Sequence, residues 1–139
     1  MTPKKTFKVL GETVEILVTS EETRGSFCIL VQTSPPGGGP PPHFHEFEDE
    51  IFTPLDGDFE LFDGKQWTRI PCGQSAHTLR GERHTFRNAG TTDGKIQCIA
   101  IGGRLDEYLE AISPLAIPND LPKLMDISAK YGITFLPQA

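Results

Sequence analysis

The stretch GGGPPPHFHEFEDEIFTPLDG, residues 37–57, decides how this chain is read. It begins as a run of glycine and proline that would pass for a linker if it led nowhere. It leads instead into His43-Phe44-His45, and Glu46, Glu48, Asp49 and Glu50 follow directly. Residues two apart in an extended strand project to the same face, so both imidazoles point one way. The prolines stiffen the approach and present His43 at a defined place. Two histidines on one strand face beside carboxylates make half of a metal site, with nitrogen and oxygen donors that suit one divalent ion of Fe, Mn, Ni, Zn or Cu.

Periodicity alone leaves the carboxylate open. Strict alternation from His45 places Phe47 and Asp49 on the histidine face and turns Glu50 away. Residues 46–49 are polar enough to form a turn, and a turn there resets the parity in favour of Glu50. The same acidic run otherwise reads as a solvated rim.

Outward from this stretch the pattern is short strands. Residues 13–19 (TVEILVT) and 27–33 (FCILVQT) are rich in β-branched and aromatic side chains and read as a strand pair. Further strand-like runs lie at 51–55, 59–62, 66–70, 75–79, 84–88 and 96–101. Turn signals separate them, among them Asp56-Gly57, Asp63-Gly64, Arg80-Gly81 and Asp93-Gly94. Such spacing predicts an all-β barrel or sandwich. After Gly103 the period changes. Leu105, Tyr108, Leu109 and Ile112 are spaced for one helix face. A second helix is signalled by Asp120 as cap, Pro122 in the first turn, Leu121, Leu124 and Met125 on one side, and Gly132 as stop. Two short helices are expected to pack outside a barrel of about 7–102, as an extension over about 103–139 of a single domain, 1–139.

Composition narrows the function classes. The chain has 139 residues, 37% of them hydrophobic and 23% charged, which supports one core. A net charge of -6 with no Lys/Arg stripe argues against nucleic acid or an anionic membrane as partner. Cys28, Cys72 and Cys98 are odd in number and form no C-x-x-C, so each reads as a small core hydrophobe in a reducing, cytoplasmic setting. No apolar run has signal-peptide or membrane-spanning length. Residues 13–19 and 96–101 carry apolar side chains on both faces, more than the outer wall of a small monomer should expose, so a homodimer is expected.

Two motifs carry a resemblance. Gly37, His43, His45, Glu50 and Gly57 fit G-x5-H-x-H-x4-E-x6-G, and Gly73, Leu79, Gly81, His84 and Asn88 fit G-x5-(P)-x-G-x2-H-x3-N. In this order and spacing they resemble the paired motifs of the cupin superfamily. EDEIF (48–52), HTFRNAG (84–90) and KYGITFL (130–136) add a likeness to small quercetin-dioxygenase-like cupins. The resemblance implies a double-stranded β-helix, or jelly-roll barrel. It also implies His43, His45, Glu50 and His84 as ligands of one divalent metal. Leu79 departs from the usual proline, and Pro54 stands within a strand, which is then expected to be interrupted or at an edge. Asn88 reads as a residue that bonds the backbone at a turn. His77 reads as a satisfied structural histidine, and Phe44, Phe52, Phe59, Phe62 and Phe86 as core, with Phe86 on the face of His84. An open site of four ligands suggests chemistry, and the resemblance implies a metal-dependent dioxygenase acting on a small organic molecule held through its oxygens, with Glu50 as candidate base. A binding or sensing module and a metal-dependent isomerase or lyase are the alternatives.

Overall fold

Apolar and polar side chains alternate along the strands, and that alternation sets the architecture. The computed structural model describes residues 2–137. Its strands are β1 (Lys5–Val9), β2 (Glu12–Val18), β3 (Phe27–Ser34), β4 (His43–His45), β5 (Asp49–Asp56), β6 (Phe59–Phe62), β7 (Trp67–Ile70), β8 (Ala76–Thr78), β9 (Thr85–Asn88) and β10 (Gly94–Ile101). Helices α1 (Leu105–Ile112) and α2 (Leu121–Lys130) follow, and then β11 (Ile133–Phe135). A six-stranded antiparallel sheet has the order β1-β2-β3-β10-β5-β8, a second sheet the order β7-β6-β9, and β11 pairs with β4. The predicted strands match to within two residues at each end. The two sheets pack face to face through aromatic rings: Phe86 of β9 meets Phe52 of β5 at 5.6 Å between centroids, and within its own sheet Phe86 meets Phe59 of β6 at 6.1 Å. This is the jelly-roll expected from the motifs.

Register places inward-facing side chains in rows across the large sheet. Cys28, Ala100 and Glu50 form one row. Ile16, Leu30, Cys98 and Phe52 form the next, and Val14, Gln32, Ile96 and Pro54 the third. Each row lies two residues, about 6.6 Å, beyond the last.

Several expectations need correction. β1 and β11 were not foreseen, so the sheet begins at Lys5 and the C-terminal extension is not purely helical. β11 returns to the centre of the fold, pairing Ile133 with His45 and Phe135 with His43. α1 is more than an external cover, because Leu105 and Tyr108 are buried and line the central cavity. α2 buries Leu124 and Ser128, one turn apart, while Leu121 and Met125 remain 45% and 46% exposed. The reason is polar: Ser128 Oγ lies 2.7 Å from the Tyr108 hydroxyl, which turns that face toward α1. Asp120 sits at the cap position, but its carboxylate accepts from Ala116 N instead of from the helix it precedes. Cys72 is exposed, whereas Cys28 and Cys98 are buried. Phe44 and Phe62 are only half-buried. β5 runs unbroken between β10 and β8, with Pro54 fully buried. The proline is tolerated because β8 pairs only as far as Phe52 and the β10 ladder slips register between Lys95 and Ile96. No described helix is long and apolar enough to cross a membrane.

Candidate metal centre

His43 and His45 both project inward from β4 and are buried. Glu46 and Phe47 then break the strand, so Asp49 faces outward and Glu50 inward when β5 begins. Asp49 accepts a hydrogen bond from Arg80 N at 2.9 Å on the outer side. His84 reaches the same point from just before β9, held by reciprocal backbone bonds of 3.0 and 2.9 Å with His43. Leu79 leaves that turn intact, and its N–H donates to Glu82 Oε1 at 2.7 Å, a bond that proline would lack. Each of the four side chains His43, His45, Glu50 and His84 offers one ligand atom, and these atoms all lie within 4.8 Å of one another.

The outer nitrogens decide what those atoms can do. His43 Nδ1 faces the Pro41 carbonyl at 2.9 Å, and His84 Nδ1 faces the Glu82 carbonyl at 3.0 Å. A carbonyl only accepts, so both rings carry their proton on Nδ1 and direct the Nε2 lone pair inward. His45 Nδ1 donates to Glu48 Oε1 at 2.8 Å. Inside, His43 Nε2 lies 3.0 Å from His45 Nε2, while the Nε2 atoms of His45 and His84 each lie 3.0 Å from Glu50 Oε1. Three lone pairs and a carboxylate oxygen thus converge in a buried space, an arrangement that needs positive charge at its centre. A divalent cation of the nitrogen- and oxygen-preferring kind fits this donor set.

Electrostatics shows the same demand. Burial is the largest influence on His45 and opposes its charge, yet Glu50 and Glu48 together outweigh it and lift the ring to about 10. Burial, with His84 and His45 as neighbours, pulls His43 down to about 3. Burial raises Glu50, but His45 and His84 overcome it and hold the carboxyl well below the usual 4.5. For chelator-treated protein the signs are opposed. His43 and Glu50 contribute stability that is full above 6.5 and 4.5 respectively and is lost as pH falls. His45 contributes stability that is full below 6.5 and is lost as pH rises toward about 10. The melting temperature of that sample should therefore peak near pH 6.5 and fall on both sides. A steady climb up to pH 10 would contradict this pairing of charges.

Two functional neighbours are missed by sequence reasoning. Glu48, assigned to a solvated rim, is 3% exposed and orients His45. Its signal is the i, i+3 spacing from His45 across a turn. Cys98, read only as a core residue, is buried and also donates from Sγ to Glu50 Oε2 at 3.2 Å, leaving Oε1 turned to the histidines. Carboxylate partners of ligating histidines are typically worth about 10–100-fold in metal affinity. Glu48→Ala should weaken metal binding by that order, and Glu48→Gln by less. Chelator competition measures it, and unchanged affinity in Glu48→Ala would remove the role. His77 is exposed on β8, facing away from the cluster, which corrects its reading as a satisfied structural histidine. Asn88 bonds backbone as expected, donating to Ser34 O at 2.9 Å and Thr92 O at 2.8 Å and accepting from Gly90 N.

Three of the four candidate ligands, His43, His45 and Glu50, line a cavity of about 210 Å³, otherwise largely apolar, to which Phe52, Phe86 and Phe135 contribute. The family description "Cupin domain" matches residues 30–101, more than half of the chain. The chain belongs to the cupin domain family. Among solved structures it is similar to a predicted oxalate decarboxylase from Thermotoga maritima, with 28% identity, a TM-score of 0.60, and coverage of 73% of this chain and 93% of that one. It is also similar to the polyketide cyclase RemF from Streptomyces resistomycificus, with 26% identity, a TM-score of 0.60, and coverage of 72% and 75%. KdgF from Halomonas sp. shares the fold at 18% identity, with a TM-score of 0.65 over 74% of this chain and 92% of that one. No curated protein matches the sequence.

Proposed function

We propose that this chain is a metal-dependent cupin enzyme, a dioxygenase acting on a small organic molecule that chelates the ion through its oxygens. His43, His45, Glu50 and His84 would hold the ion. The observation that carries this reading is the convergence of three Nε2 atoms and one carboxylate oxygen beside an apolar cavity. A divalent ion held by four side chains keeps further positions for substrate and polarises the oxygens it binds. Around it, the chain's residues orient and exclude water. Glu48 and the Pro41 and Glu82 carbonyls fix the histidine rings. Phe52 and Phe86 keep the space dry. Glu50, ionised at neutral pH, is the candidate base for the acidic proton of an enol.

Oxygen uptake tests the proposal directly. Metal-loaded protein with 1-phenyl-1,3-butanedione should consume dioxygen, and His43→Ala should not. Turnover should fall as acid protonates Glu50. Product without oxygen uptake would replace the dioxygenase by a metal-dependent isomerase or lyase, a reading that the likeness to a polyketide cyclase favours as second. Metal-dependent binding without product would leave a binding module.

A further inference from the structure

The rows across the large sheet give the cavity a direction. Glu50 stands in the first row, Leu30, Cys98 and Phe52 form an apolar second row, and Gln32 stands in the third. Gln32 is thus two rows, about 13 Å along the strands, from Glu50. Both Gln32 and Glu12 line the same cavity as His43 and His45. Glu12 Oε1 accepts from Gln32 Nε2 at 2.8 Å and from the Ser34 hydroxyl, so these side chains form one connected polar corner. Among the described residues that line the cavity, none is lysine or arginine, and the only carboxylates are Glu50 and Glu12.

Charge then selects the ligand. A dicarboxylate or a phosphate ester would bring negative charge to the apolar part of the cavity, where no lysine or arginine is available and a second carboxylate, Glu12, waits at the far end. A molecule with an uncharged apolar body meets no such penalty. If its far end carries a hydroxyl, that group can donate to the Glu12 carboxylate, a bond strong enough to change affinity by roughly 10-fold or more.

We infer that the cavity takes a neutral molecule with an apolar body, a chelating head at the histidines and a hydrogen-bond-donating tail at Glu12 and Gln32. Acceptance of the head rests on the function proposed above, whereas selection of the tail does not. Three probes share one β-diketone head: 1-phenyl-1,3-butanedione and its para-hydroxy and para-carboxy derivatives. Calorimetric binding to the full chain, metal-loaded and chelator-treated, separates the two claims. The hydroxy probe should bind at least 10-fold more tightly than the parent, and the carboxy probe at least 10-fold more weakly. In Glu12→Gln both differences should shrink while metal content is unchanged. The same ranking without metal would uphold the tail site and refute chelation. Three equal affinities, seen only with metal, would uphold chelation and overturn the tail site. Preference for the carboxy probe, or no binding of any probe, would also overturn it.

Discussion

His84→Ala should abolish stoichiometric metal binding. The ring is 2% exposed and its Nε2 lies 3.0 Å from Glu50 Oε1, so nothing mobile can take its place. Groups that merely orient a ligand are worth about 10–100-fold in affinity, so losing a direct donor should cost more than about 100-fold. Elemental analysis per mole of folded protein is the measurement, because His84 also packs against Phe52, with ring centroids 5.9 Å apart, and its removal leaves a cavity. Full occupancy in the variant would reject the site. Glu50→Gln should weaken the metal far more than Asp49→Asn, since Asp49 faces out toward Arg80. The reverse order would return the ligand to Asp49.

Gly39→Ala is expected to cause the largest loss of stability. A Cβ there would lie 2.0 Å from the Phe86 carbonyl oxygen and 3.2 Å from Arg87 Cα, which is backbone of a paired strand and cannot swing aside. The φ of +150° is also one that side-chain-bearing residues rarely adopt. Overpacking and backbone strain together should cost about 3 kcal/mol, or roughly 10 °C at about 3 °C per kcal/mol. Gly73→Ala is the control. At φ +80° with nothing within 4 Å, it carries only the left-handed penalty of about 1–2 kcal/mol. Equal melting temperatures for the two variants would refute the packing argument. Because residues 40–42 lead directly into His43 and Thr85 Oγ1 donates to the Pro40 carbonyl, Gly39→Ala should weaken metal binding as well.

The site was legible to different depths. His43 and His45 need only the period of a strand, which is a property of the backbone. Glu50 needs more, because its side depends on whether residues 46–48 continue the strand or break it. Alternation alone splits the choice with Asp49, and the paired motif favours Glu50. Asp49 and Glu50 do point to opposite sides, as the burial of one and the Arg80 contact of the other require. Glu48 was lost to the same ambiguity, since an acidic residue in a turn usually faces water. Its burial follows from the chain folding back over it, with Gly103 so close that a Cβ there would overlap its carboxylate.

The sequence by itself determined what depends on neighbours along the chain. The β pattern, the positions of the strands from β2 to β10, the two amphipathic helices and the metal-donor types are written in local period and spacing. The tertiary structure decided what depends on residues far apart. β11 pairs with β4 across some ninety residues, and Ile133–Phe135 alone is too short a run to announce a strand. Leu121 and Met125 look like an apolar face, yet the bond between Ser128 and Tyr108 turns Leu124 inward in their place. The link between Glu12 and Gln32 has no local signal, because strand pairing over twenty residues joins them. Side-chain periodicity says which face a residue occupies, but only the assembled sheets determine what that face meets.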